Sequence, residues 1–371
     1  MSLAYKSFSI FKRDAILYIT NIITGIIVAR TLGPEGLGIF IILNTLISYS
    51  EAIGRIKVDV ASVYFFAKGK YKDQDILSSI NIIAIFSSFV LIGFMLIGFD
   101  ELYSFLFKKI SGDYNLHLIS FLIFIPLHFL SMNYSYYHIA KENVEIYNNK
   151  LMVQAWSNSL IAILLLIFSD LKIWAVIIAQ ILSTVFSLFY GYIKINKNGW
   201  KHSQKINSRL IKEILKYGYN FYLSGIIGHI HEYGVRAISI SFLSVSQISF
   251  LGQAQNLGQL LHKIPNSIST ILYSRLSRID EDVLSASIVK KAFKLSLILI
   301  LFISILLILV IEDLIIFLYG IEFQETSRIM KIILPGVIVY SLNSIFITYF
   351  NGTGRARIVP KVAIFPVCFQ M

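Results

Sequence analysis

Runs of about 20 mainly apolar residues recur along the 371-residue chain, separated by short polar segments. They lie near 12–31, 37–60, 76–98, 115–138, 147–168, 173–195, 214–241, 247–273, 289–311 and 327–350. At 1.5 Å per residue, a helix of that length crosses the roughly 30 Å hydrocarbon core of a bilayer. The pattern predicts ten transmembrane helices and the start of an eleventh near Pro360. The expected class is an all-α polytopic membrane protein.

The longest polar stretch, 194–216, follows the sixth run. An even number of spans precedes it, so both halves begin on the same side of the membrane, as in a parallel repeat. This predicts two halves of six helices each, related by an axis along the membrane normal. Residues 1–195 form the N-terminal lobe, 196–213 a cytoplasmic linker, and 214–371 an incomplete C-terminal lobe with four complete spans and the start of the next. A 211-residue shift lays "LSVSQISFL" on "LGPEGLGIF" and brings Tyr349 within one residue of Tyr137. On that repeat the second lobe would run to about residue 406, so most of an eleventh span and all of a twelfth are expected to be missing.

Polar positions inside the spans follow the same repeat. In the second span, Asn44, Ser48, Glu51, Arg55, Asp59 and Ser62 fall on one helical face. Their counterparts 211 residues on are Gln255, Gln259, His262, Asn266, Thr270 and Tyr273, all polar again. Two matching stripes predict two helices facing a common polar space. In the seventh span, "GHIHEYGVRAIS" puts His229, Glu232 and Arg236 on one face, with His231 pointing elsewhere. Lys263 adds a cation beside His262.

Composition agrees with a membrane protein. The chain is 56% hydrophobic and 15% charged, with a mean hydropathy of +0.72, whereas a soluble domain is about 25% charged. The single cysteine, Cys368, excludes an internal disulfide framework and a cysteine-based metal site. The net charge of +12 reads as basic loops rather than nucleic-acid binding once its distribution is seen. With a cytoplasmic N-terminus, 23 of the 33 Lys and Arg fall on the cytoplasmic side, Lys150 among them. Six fall on the other side, and Arg55, Lys57, Arg236 and Lys263 lie inside spans. The basic N-terminus followed by an apolar run is read as an uncleaved first span, because a second apolar run follows directly.

The stretch "FKRDAILYITNIITGIIVARTLGPEGLGIF" resembles the N-terminus of polysaccharide exporters and O-antigen flippases. The carrying residues are Ala29-Arg30, Leu32-Gly33, Glu35-Gly36 and Gly38. "YFNGTGRARIVPKV" (349–362), with Gly354 and Arg355, is similar to that family's cytoplasmic segment after span ten. The family belongs to the multidrug/oligosaccharidyl-lipid/polysaccharide exporter superfamily. The resemblance implies two six-helix lobes around a cavity in the bacterial inner membrane. It also implies translocation of an undecaprenyl-diphosphate-linked oligosaccharide by alternating access. The implied partners are that lipid-linked glycan, membrane lipids and other polysaccharide assembly proteins, with no nucleic acid. No cofactor or metal is implied, and a coupling ion would be H+ or Na+.

The intramembrane charges carry two readings. Each costs roughly 2.5–3.5 kcal/mol on insertion scales, which makes it a functional-site hypothesis by default. Glu51, Arg55 and Asp59 at i, i+4 and i+8 form either a self-neutralised ladder between helices or a cavity wall. In the second case Arg55 grips a diphosphate and an acid takes a proton. Lys57 lies off that face and is expected to snorkel. The candidate cavity residues are Glu51, Arg55, Asp59, His229, Glu232, Arg236, Gln255, Gln259, His262, Lys263 and Asn266. The turn glycines are expected to be structural, with Gly36 and Gly38 allowing close helix approach. No P-loop, GxSxG or HExxH motif is present, so the expectation is a transporter rather than an enzyme. The competing functions are a cation-coupled multidrug exporter of the same superfamily and a membrane glycan polymerase or glycosyltransferase.

Overall fold

In a computed structural model, eleven α-helices and one 3-10 turn make up the secondary structure among the described residues. The structure describes residues 3–107, 112–196, 207–276, 282–353, 355, 358 and 359, and side chains at some helical positions, His231 and Glu232 among them, lie outside the described set. The helices of the N-terminal half are α1 (Leu3–Gly54), α2 (Val58–Lys68), α3 (Asp73–Ile97), α4 (Phe99–Phe107), α5 (Asn115–Ala140), α6 (Val144–Phe168) and α7 (Ile173–Asn196). The C-terminal half holds α8 (Ser208–Phe242), α9 (Val245–Leu276), α10 (Asp282–Tyr319), the 3-10 turn (Ile321–Phe323) and α11 (Gln324–Gly352). The region expected to begin an eleventh span, and most of the central linker, lie outside the described residues.

The first two predicted spans are joined within α1 by a kink. Gly33 takes φ 66° and ψ 179°, a conformation open to a residue without Cβ. Pro34 follows it and restarts the helix, where its missing N–H costs little. The expected close approach at Gly38 is present, since a Cβ there would lie 2.1 Å from the Val245 carbonyl oxygen of α9. Arg30, just before the kink, donates from Nε to the Leu318 carbonyl (2.8 Å) and from Nη2 to that of Phe317. A cation on the unsatisfied carbonyls at the end of α10 is electrostatically favourable.

The second predicted span, 37–60, is not continuous. It stops at Gly54, and Ile56 and Lys57 adopt left-handed backbone (φ 45° and 55°) before α2 begins. That conformation is strained for a β-branched isoleucine. The break is clamped by α8: a Cβ on Gly218 would lie 2.5 Å from the Ile56 carbonyl oxygen, and one on Gly225 would lie 2.0 Å from Lys57 Cε. Lys57 therefore lays its stem on α8.

Among the described residues, seven helical stretches are long and apolar enough to cross a membrane: Lys12–Gly54, Asp73–Ile97, Asn115–Ala140, Val144–Phe168, Ile173–Asn196, Leu284–Tyr319 and Ile321–Gly352. The first contains two of the predicted spans. α8 and α9 are long enough but are the least apolar of the long helices. Outward-facing positions are apolar, with Ile97 at 86% and Leu309 at 72% exposed, as expected of a surface solvated by lipid. One core cluster runs across both halves, from Val28 and Ala29 of α1 through Ala162 of α6 to Leu261 of α9, Ile311 of α10 and Leu334 of α11.

Candidate functional site

The C-terminal half contains a cavity of about 560 Å³ between α8, α9 and α11, within the range of roughly 300–1,000 Å³ usual for ligand sites. Its polar lining comes from Arg236 of α8 and from Gln255, Gln259, His262 and Lys263 of α9. All five were candidates from the sequence. On α9 they recur every three to four residues, so one face of the continuous helix presents them together. Opposite stand Ile332, Ile333, Val337 and Tyr340 of α11, which the sequence reading did not select.

Arg236 is held at two points. Its Nε donates to Gln255 Oε1 (2.6 Å) and its Nη2 to Asn256 Oδ1 (3.1 Å), which fixes the plane of the guanidinium. The His262 ring lies 4.9 Å from that of Tyr340 at 30°. Lys263 is exposed, with its Nζ 5.7 Å from the ring centroid of Tyr18 on α1, so it reaches toward the other half. The cavity therefore combines two cations, two amides and an aromatic face, a set able to bind an anionic, hydroxyl-rich group. Asn266, one turn further, is exposed and outside the cavity lining. The side chain of Glu232 lies outside the described residues.

The matching stripe of the N-terminal half is arranged differently. Arg55 is 6% exposed and donates from Nη2 to Asn133 Oδ1 (3.1 Å). It also sits over the rings of Tyr136 (5.2 Å) and Phe129 (5.8 Å). Asn133 is oriented for this by donating from Nδ2 to the Ile80 carbonyl (3.1 Å) and to Asn81 Oδ1 (3.0 Å). Glu51 faces His128, whose Nε2 is 3.5 Å from Glu51 Oε2. Asn44 accepts from Gln180 Nε2 of α7 (3.0 Å). These groups bond inward, to α3, α5 and α7, instead of to a shared space.

Two expectations for this stripe are corrected. Glu51 and Arg55 do not pair, because Arg55 follows the last helical residue and turns to α5. Asp59 is not on one continuous helix with them, because the break at 55–57 places it in the first turn of α2, where its charge suits the helix N-terminus. His229 of α8 lies near Glu51, close enough for their charges to interact, and is not part of the C-terminal cavity.

Lys150, read from sequence as a cytoplasmic loop residue, is 1% exposed on α6. Its Nζ donates to Ser131 and Ser135 of α5 at 2.9 Å each. Gly191 of α7 leaves room for its stem, since a Cβ there would lie 3.2 Å from Lys150 Cε. The signal that could have exposed these partners is a polar stripe in the fourth span, His128, Ser131, Ser135 and His138, spaced 3, 4 and 3 residues apart. Among the described residues no group of three or more His, Cys, Asp or Glu is placed to hold a metal ion.

The profile of a family described as "polysaccharide biosynthesis protein" matches residues 27–328. The fold is similar to that of the lipid II flippase MurJ in an inward closed conformation. That structure is 16% identical, with 97% of this chain and 78% of that one covered and a TM-score of 0.76. It is also similar to a multidrug resistance MATE family transporter of the MOP superfamily in an inward-facing conformation, at 15% identity, 95% and 84% coverage and a TM-score of 0.71. An outward-facing MATE transporter structure gives a TM-score of 0.59 at 14% identity, with 96% and 85% covered. No curated protein sequence matches the chain. The helices and these neighbours identify a multi-pass membrane protein with the fold shared by MOP superfamily members.

Proposed function

Because the chain belongs to the polysaccharide biosynthesis protein family, we propose that it translocates an undecaprenyl-diphosphate-linked oligosaccharide repeat unit across the bacterial inner membrane. The mechanism is alternating access, and the product feeds O-antigen, capsule or another surface polysaccharide. Residues 1–195 and 214–371 act as two lobes joined by the linker 196–213. The N-terminus is cytoplasmic, which the 23 to 6 distribution of Lys and Arg supports.

The observation that carries this reading is the C-terminal cavity, with Arg236 and Lys263 converging on a space walled by Gln255, Gln259, His262 and Tyr340. The diphosphate is the fixed anionic feature of such a substrate, and Arg offers it bidentate, charge-assisted hydrogen bonds. The amides suit sugar hydroxyls, and Tyr340 offers an apolar ring face. At about 560 Å³ the cavity takes part of a lipid-linked glycan, with the lipid chain left in the membrane. The described residues supply no nucleotide motor, so transport would be driven by the substrate gradient or by H+ or Na+.

The test is deletion of the gene followed by assay of the two membrane leaflets. The lipid-linked repeat unit should accumulate on the cytoplasmic leaflet and be cleared by the restored protein. Normal glycan export in the deletion strain would count against the reading. A second reading, a cation-coupled multidrug exporter, is favoured by the likeness to the MATE transporters. It requires that deletion change drug resistance while leaving surface glycan intact.

A further inference from the structure

The start of α8 carries a groove of about 590 Å³ that shares no residue with the cavity between α8, α9 and α11. One face of the first three turns of α8 forms it, with Ile211, Lys212, Leu215, Lys216 and Tyr219 at helical spacing. Ile56, from the break in the second span, stands beside them. Lys212, Lys216 and Tyr219 are exposed, whereas Ile56, Ile211 and Leu215 are half-buried, so charged heads rim an apolar floor. The other side of α8 is already occupied: Leu210 and Ile214 are buried, and Tyr217 stacks on Tyr64 of α2 at 4.3 Å. Charge here is one-sided. Between 194 and 216 seven Lys or Arg recur every three or four residues, and Glu213 is the single acid. Glu213 is committed to Lys70 (3.2 Å) and Arg209 (3.3 Å). Among the described residues, Lys212 and Lys216 form no ion pair. Next along α8, "YGYNFY" (217–222) places four aromatic rings in six residues, with Tyr219 69% and Phe221 41% exposed. Such a belt marks the boundary between membrane and water. At 1.5 Å per residue, Lys216 and Lys212 lie roughly 5 Å and 10 Å along the helix from Tyr219, at the depth of lipid headgroups.

We propose that this groove seats an anionic phospholipid of the surrounding leaflet, its phosphate held by Lys212 and Lys216 and its chain laid on Ile56, Ile211 and Leu215. A zwitterionic headgroup brings no net charge to two ammonium groups that lack an acid, whereas an anionic headgroup does. On the proposed orientation this end of α8 is cytoplasmic, and basic pockets on that side of membrane helices bind anionic headgroups. The apolar floor selects against free phosphate, because it gains only when the anion arrives with a hydrocarbon chain. Ile56 belongs to the N-terminal half and α8 to the C-terminal half, so the seated lipid touches both. It does so beside the left-handed backbone at 56–57 on which Gly218 of α8 packs. The inference goes beyond the proposed transport reading and holds whether the cargo is a glycan or a drug.

The experiment uses the full chain in vesicles, with photoreactive benzoylphenylalanine in place of the exposed Tyr219. The vesicles hold equal amounts of phosphatidylglycerol and phosphatidylcholine with the same acyl chains, in physiological salt. After illumination, adducts of each lipid are counted by mass spectrometry. Phosphatidylglycerol adducts should exceed phosphatidylcholine adducts by about fivefold or more, since each lysine near a membrane surface favours an anionic lipid. Lys212→Gln with Lys216→Gln should bring the ratio to about one, and Lys212→Arg with Lys216→Arg should keep it high. Lys290→Gln with Lys291→Gln removes the same charge from exposed positions on α10 and should leave the ratio unchanged. Equal labelling by the two lipids in the parent overturns the inference, as does an unaltered ratio in the Lys212→Gln, Lys216→Gln protein. An equal loss in the α10 variant also overturns it, by showing an effect of overall charge only. Inorganic phosphate and undecaprenyl diphosphate are added as competitors, and neither should displace phosphatidylglycerol. Displacement by the first makes the groove a phosphate site and displacement by the second makes it part of the cargo path, and either result overturns the inference. Loss of glycan export in cells does not bear on these ratios, and equal labelling does not bear on the identity of the cargo.

Discussion

Arg55 and Arg236 occupy the two halves of one repeat, each beside a helix that carries a stripe of polar residues, yet their surroundings are opposite. Arg55 is buried among Asn133, Tyr136 and Phe129, and its neighbours Asn44 and Glu51 turn to α7 and α5. Arg236 is held by Gln255 and Asn256 at the wall of an open cavity. The difference begins at one backbone position. Gly54 ends the N-terminal stripe helix, while the position 211 residues on is Pro265, through which α9 runs unbroken. Once the N-terminal helix breaks, its lower polar residues leave the common face and pack on α3 and α5. The continuous α9 keeps one face and presents it to the cavity. Polar residues at equivalent positions thus hold helices together in one half and line a ligand-sized space in the other.

Substitutions can break or sharpen this contrast. The largest effect is expected from Asn133→Leu, which leaves the buried guanidinium of Arg55 without its hydrogen-bonding partner. Unfolding of the purified protein in detergent should show a loss of about 2–4 kcal/mol. Arg236→Ala should instead cut substrate transport about tenfold or more with a change in stability of less than about 1 kcal/mol. If Arg236→Ala destabilises as much as Asn133→Leu, the two halves do not differ in kind.

A smaller effect is expected at Lys150. Its ammonium is buried against two hydroxyls with no carboxylate among its hydrogen-bonding partners. Lys150→Met should therefore lie within about 1 kcal/mol of the parent and could be stabilising. Lys150→Glu should fold poorly, which expression and gel filtration would reveal.

The smallest effect belongs to the exposed tie between Lys70 and Glu213 (3.2 Å), where the start of α8 meets the loop after α2. The hydrogen bond to Glu213 raises the pKa of Lys70, and hydrogen bonds from Tyr71 and Lys70 lower that of Glu213. The Glu213 contribution is present above its unfolded value and fades as pH falls through its lowered one. That of Lys70 is present below its unfolded value and fades as pH rises through its raised one. Both groups are solvated, so Glu213→Gln should leave the melting temperature unchanged at neutral pH in physiological salt. A clear drop would assign α8 a surface anchor in addition to its clamp on residues 56–57.

The amino-acid order alone determined the membrane class, the helices and the repeat, because a 20-residue apolar run has few other stable destinations and side-chain periodicity is local. It also identified four residues of the cavity wall on α9, since α9 is regular and spacing along a regular helix is direction. Only the tertiary structure decided what the N-terminal stripe does. Gly54 and Gly225 look alike in sequence, and only the packed structure shows α8 pressed against the left-handed backbone at Ile56 and Lys57. His128, Asn133 and Lys150 take their roles from partners 77, 78 and 15 to 19 residues away. Which of two helical faces meets a neighbour, and which meets open space, depends on packing between elements far apart in the chain, and no local pattern encodes it.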